Sequence, residues 1–221
     1  MNKESSSLRN TLSTIGIGLL ANFLTVWAFQ RFVTPGLASA GNFLSVLLNV
    51  ASVLIGTGLF VLIVHALPSP ALAAREAAAR LPFARALLLS FTPLIFLMIR
   101  LLTSGQIPLN AAGMDLAFPV ISWVNVILLL LVFPLVNEFI YRKVFAEKIL
   151  QYGDIFFMVT SAVLFTFAFA PFTGIGEAPY YLLLGVILSF VTLATNDWRQ
   201  AALLHALANL FAFVLPAVLS R

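Results

Sequence analysis

Apolar residues run along this chain in long blocks, not in alternation. A block that long exceeds a buried strand or one face of a soluble helix. A helix needs about 20 mostly apolar residues to cross a bilayer. Seven stretches reach or approach that length: residues 11–30, 42–67, 83–102, 118–141, 155–172, 180–195 and 200–219. The sixth is short, so it tilts little or thins the bilayer locally. None shows the dyad alternation of a transmembrane β-barrel strand. Breakers fall between the blocks: Pro35-Gly36, Pro68-Ser69-Pro70, Gly105, Pro108 and Gly113 within 103–119, then Gly153-Asp154, 174–179 and Asn196-Asp197. The pattern predicts an all-α, polytopic transmembrane helix bundle of about seven spans. The Ala-rich segment 71–80, with Arg75, Glu76 and Arg80, reads as a helix on the membrane surface or as a plain connector.

Composition agrees with this pattern. The chain is 62% hydrophobic and 9% charged, against about 25% charged in a soluble domain. That excludes a secreted soluble domain, a disordered tail and a typical cytosolic enzyme. The chain has no cysteine, which removes disulfides, thiolate nucleophiles and Cys-ligated metals. The net charge of +4 does not call for nucleic acid, because basic residues anchor the inner loops of a membrane protein. With the N-terminus inside, Lys3, Arg9, Arg75, Arg80, Arg85, Arg142, Lys143, Lys148 and Arg199 lie inside, and Arg31, Arg100 and Arg221 outside. This bias predicts a protein of a cytoplasmic-type (inner) membrane, N-terminus in and C-terminus out. Ala38-Ser39-Ala40 imitates a signal cleavage site, but the preceding apolar run is too long and Arg31 interrupts it. The first block is therefore expected to remain as an anchor.

Polar groups inside spans are costly and mark function by default. Glu138 and Arg142 are four residues apart near the inner end of span four, in the favourable Glu-before-Arg order. His205 and Asn209 share a face of span seven in the same way. Ser161 and Thr166 give span five a hydroxyl-bearing face. If Gly153 turns the chain between spans four and five, Glu138 lies 15 residues before it and Phe169 16 after. The common rise of 1.5 Å per residue brings the two level. The chain re-enters after Asp197, 8 residues before His205. Asn137, Glu138, Phe169, His205 and Asn209 are thus expected to line one cavity opening inward. Two readings of these residues stand: a functional site, or an ion pair and interhelical hydrogen bonds that hold helices together. Asn22, Asn49 and Asn125 read as such glue, and His65 as an interfacial residue.

The order of these motifs resembles the CAAX protease and bacteriocin-processing (CPBP, or Abi) membrane family. The likeness spans about residues 118–215. It divides the chain into an N-terminal transmembrane region, 1–115, and a CPBP-like core, 116–221. The family pattern is Glu-Glu-x-x-x-Arg, then Phe-x-x-x-His, then His-x-x-x-Asn or Asp. Here the elements read Asn137-Glu138-Phe139-Ile140-Tyr141-Arg142, Phe165-Thr166-Phe167-Ala168-Phe169 and His205-Ala206-Leu207-Ala208-Asn209.

The resemblance implies an intramembrane endopeptidase fold. In it the first Glu and the second-motif His activate water, and the last His and Asn stabilise the oxyanion. Glu138, Arg142, His205 and Asn209 are retained. Asn137 and Phe169 replace the expected Glu and His. Asn takes no proton and Phe offers neither donor nor acceptor. The remaining donors Glu138, His205 and Asn209 suit zinc poorly, so neither a catalytic metal nor a cofactor is expected. The leading expectation is a catalytically impaired family member, a scaffold or subunit among membrane lipids and membrane-protein partners, binding no nucleic acid. The alternatives are an active endopeptidase on prenylated or leader peptides, with Glu138 as its base, and a binder of a lipid-like ligand.

Overall fold

The computed structural model describes residues 3–33, 42–67, 126–173 and 175–215, with positions 82, 85, 88, 89, 91, 95, 110, 111, 114 and 115. The third expected span is described only at 85, 88, 89, 91 and 95, each helical. The surface helix at 71–80, the Pro35-Gly36 and Pro68-Ser69-Pro70 breakers, and Arg75, Arg80, Arg100, Asn125 and Arg221 lie outside the described residues. The chain divides into two compact units, Met1–Leu72 with Val144–Tyr152, and Ala73–Lys143 with Gly153–Arg221. The expected division at residue 115 falls beside a stretch outside the description.

In the first unit, α1 (Lys3–Ala28) runs on through a π-helical turn, Phe29–Val33, and α2 is Asn42–His65. The two pack antiparallel because small residues let their backbones approach, the usual device where no hydrophobic effect drives helices together. A Cβ on Gly18 would sit 3.0 Å from Phe60 and 3.2 Å from Val64. One on Gly56 would meet the backbone oxygen of Asn22 at 2.9 Å. Asn22 thus packs against a glycine, and its buried Oδ1 has no hydrogen-bond partner among the described residues. That is not the glue expected of it. At one end of the unit, Lys148 is buried and its Nζ donates to the Leu67 carbonyl over 2.8 Å. The site lies beyond the last turn of α2, where a cation is favoured. Tyr152 meets the hydroxyls of Ser7 and Thr11 at 3.3 Å each. His65 is exposed, in keeping with an interfacial residue.

The second unit holds the helical run from residue 126, then α3 (Asp154–Thr173), α4 (Ala178–Thr195) and α5 (Trp198–Asn209), which a π turn extends over Leu210–Val214. Gly153 turns the chain into α3 with φ 113°, a conformation side chains with a Cβ avoid. Asn196 takes the left-handed conformation after α4 with φ 52°, and Asp197 then caps α5 by accepting the Arg199 N–H over 3.0 Å. Helices α3 and α4 cross at Gly185. A Cβ there would lie 2.9 Å from the Ala162 Cα.

The described helices match expected spans two, five and six to within a few residues, span one begins at Lys3 where residue 11 was expected, and span seven is described only as far as residue 215. Among the described residues, three segments are long and apolar enough to cross a membrane, Ser7–Val33, Leu47–His65 and Ala178–Thr195, and Asp154–Phe169 is a shorter apolar helix. Span four differs. Expected to end at Tyr141 before two charges, its helical run continues to residue 152. Arg142 and Lys148 do not end it, because both are buried with acceptors in place. The only strand pairing among the described residues is a two-residue antiparallel ladder, Asn110↔Asp115 and Ala111↔Met114, which leaves the all-α class unchanged.

The crossing at Gly185 is testable. Gly185→Ala is expected to cost about 1–3 kcal/mol through overpacking, while Gly58→Ala, with nothing within 4 Å of the new Cβ, leaves stability near wild type. Thermal denaturation in detergent of the two variants decides it.

Candidate functional site

The site begins with an irregularity in the backbone. Pro134 lies inside the helical run and lacks an N–H. The turn before it, Leu128–Val132, is π-helical, and the Phe133 N–H goes to the Leu128 carbonyl. The Leu129 carbonyl therefore loses both possible helical donors, Phe133 to its neighbour and Pro134 to chemistry. Asn209 of α5 supplies the missing bond, its Nδ2 donating over 2.9 Å. Asn209 is 4% exposed, so without that bond the carbonyl would be buried and unpaired. A second π turn, Phe139–Val144, follows Glu138. There the Tyr141 carbonyl takes a hydrogen bond from Ser161 Oγ over 3.0 Å.

Glu138 sits between these two turns and is fully buried. His205 Nδ1–H donates to its Oε1 over 2.8 Å, because a carboxylate can only accept. Arg142 Nε lies 3.0 Å from Oε2. The N–H does not point along that line, so the contact is ionic and not a directed hydrogen bond. Arg142 Nη2 donates to the Gly185 carbonyl over 2.9 Å, and the same oxygen accepts Ser189 Oγ over 2.8 Å. The guanidinium lies 4.6 Å from the Phe165 ring centroid, a cation–π contact strengthened by desolvation. Its Nη1 is buried with no partner among the described residues.

An aromatic cluster closes the other side. Phe169 stacks on Tyr181 with centroids 4.6 Å apart and planes 6° from parallel. It also meets Phe165 at 4.8 Å and the His205 ring, edge-on, at 6.4 Å. Phe169 and Glu138 both meet one imidazole, so the hairpin argument places them level correctly.

Of the residues expected in the site, Glu138, Arg142, His205 and Phe169 come together. Asn209 is one turn along α5 with an amide N–H committed to Leu129. Asn137 is half-buried, and its side chain bonds none of this group. Thr166 bonds none of this group, its Oγ1 going to the Ala162 carbonyl of its own helix over 2.8 Å. Sequence reasoning missed Tyr181, Gly185, Ser189 and the Leu129 carbonyl. Pro134 was the available signal for the last, since a proline within a span orphans a carbonyl.

No three potential metal ligands converge among the described residues. The one carboxylate and one imidazole here are bonded to each other, which does not fit a catalytic zinc held by three protein ligands.

Residues 119–211 match the family model described as type II CAAX prenyl endopeptidase Rce1-like. That match supports a CAAX-protease-type domain over those residues, and the long apolar helices support an integral membrane protein. Searches of curated proteins and of solved structures return no match.

The carbonyl accounting predicts a rescue. Asn209→Leu should cost about 1 kcal/mol or more by leaving Leu129 unpaired. In a Pro134→Ala background the restored N–H can pair the helix carbonyls, so the same substitution should cost little. A double-mutant cycle on thermal stability measures the difference.

Proposed function

We propose that this protein is a non-catalytic member of the CAAX-protease family. It acts as a scaffold or subunit with membrane-protein partners in a cytoplasmic-type membrane, N-terminus inside and C-terminus outside. One observation carries this reading. The retained polar residues are committed to one another or to the backbone: Glu138 to His205 and Arg142, Arg142 to Gly185, Asn209 to Leu129. The position of the expected His is Phe169, stacked on Tyr181. Peptide hydrolysis needs a base that can reach a water and donors aimed at the oxyanion. Here the carboxylate is a structural acceptor instead.

A second reading rests on the same 2.8 Å contact. A carboxylate on Nδ1 orients an imidazole so that Nε2 can take a proton, as in hydrolytic triads. His205 would then be the base of a residual endopeptidase on prenylated or leader peptides, and Glu138 its orienting group.

Turnover of a prenylated CAAX peptide and of a leader peptide by the purified protein separates the two. The wild type is expected at least about 100-fold below the Asn137→Glu, Phe169→His double variant, the minimum worth of a positioned base. Wild-type turnover that His205→Ala or Glu138→Ala abolishes overturns the non-catalytic reading. The structural role makes a separate prediction. Glu138→Leu strands Arg142 and should cost about 3–5 kcal/mol, while Glu138→Leu with Arg142→Met recovers most of it. Thermal denaturation checks this.

A further inference from the structure

We propose that Lys143 and Arg199, bridged by Phe139 and Trp198, bind the headgroup of an anionic phospholipid. The Lys143 ammonium lies 5.2 Å from the Phe139 ring centroid. The Trp198 indole meets the same ring edge-on at 5.9 Å. One phenyl ring therefore meets both a cation from the helical run and the first residue of α5. Arg199, the next residue, is exposed, as is Lys143. Neither makes an ion pair among the described residues, whereas the buried Arg142 does. The neighbouring acid, Asp197, spends one oxygen on the Arg199 N–H. Glu147, four residues from Lys143, likewise makes no ion pair with it among the described residues.

The surroundings select a lipid over other anions. Leu131, Leu135, Phe139 and Lys143 follow one another at four-residue spacing. Leu131 is 54% and Leu135 41% exposed, so an apolar track of acyl-chain character ends at an ammonium. On α5, Leu203 is 52% exposed and stands four residues from Arg199. Both helices thus present apolar side chains first and a cation at one end, with an indole between. That is the order of a phospholipid: acyl chain, interfacial glycerol, phosphate. Tryptophan favours the interfacial level, Arg and Lys attract anionic headgroups there, and a guanidinium can grip phosphate in bidentate fashion. This site is separate from the Glu138 cluster and does not depend on whether that cluster is catalytic.

Trp198 supplies the readout. The chain has 3 tryptophans, so Trp27→Phe with Trp123→Phe in the full-length protein leaves Trp198 as the only indole. In nanodiscs, brominated phosphatidylglycerol is expected to quench it more strongly than brominated phosphatidylcholine at equal mole fraction. Lys143→Gln and Arg199→Gln should each lower that preference about fivefold, while Lys143→Arg and Arg199→Lys keep it. Inorganic phosphate should not reverse the quenching. Equal quenching by the two lipids overturns the proposal. So does a preference unchanged in both Gln variants, a loss that the charge-keeping variants share, or reversal by inorganic phosphate.

Discussion

The carboxylate of Glu138 is the constraint around which the second unit is arranged. A charge withdrawn from water costs several kcal/mol unless it is paired and its remaining lone pairs are met. Glu138 is completely buried, so its partners must be delivered from elsewhere. Arg142 comes from the next turn of the same helix and His205 from α5. Arg142 in turn needs acceptors, and finds one in Gly185 of α4. Three elements are therefore held in register by one acidic group. The glycine at 185 is doubly constrained, since its carbonyl takes two hydrogen bonds and its missing Cβ lets α3 approach.

Backbone irregularity makes this arrangement possible. A regular helix spends its carbonyls first on its own N–H groups, so a neighbour shares an acceptor already in use, as Arg142 does at Gly185. The π turns at Leu128–Val132 and Phe139–Val144 flank Glu138, and a carbonyl in each is bonded by a side chain from another helix. In a bilayer this matters more than in water, because no solvent stands ready to satisfy an orphaned group. Asn209 is placed by that need. Its position in the His-x-x-x-Asn motif suits an oxyanion role, yet its amide is already donated to Leu129. The aromatic cluster completes the enclosure: Phe169 fills, with Tyr181, the volume beside His205 where the family pattern has a polar side chain.

Much of the site was legible from spacing. Four-residue separations correctly put Glu138 with Arg142 on one face, and His205 with Asn209 on another. Gly153 correctly marked the turn, so equal arm lengths brought Phe169 level with Glu138. The target of Asn209 was not legible, because it is a backbone carbonyl. Which carbonyl is free depends on how the helix accommodates Pro134. Of the two charges expected to end span four, Arg142 is buried against Glu138 and Lys143 is exposed beside Phe139. Charge alone does not reveal whether an acceptor waits in another helix.

By itself, then, the sequence determined a membrane protein of helices, the resemblance of its second half to one family, and the residues that share a helix face. These follow from local quantities: the length of apolar runs, the 3.6-residue period and the identity of motif positions. Only the tertiary structure decided what each polar side chain bonds. It turned His205 Nδ1 to Glu138, Arg142 to Gly185 and Asn209 to Leu129. Those choices depend on partners 43, 67 and 80 residues away in the chain, and no local pattern encodes such distances.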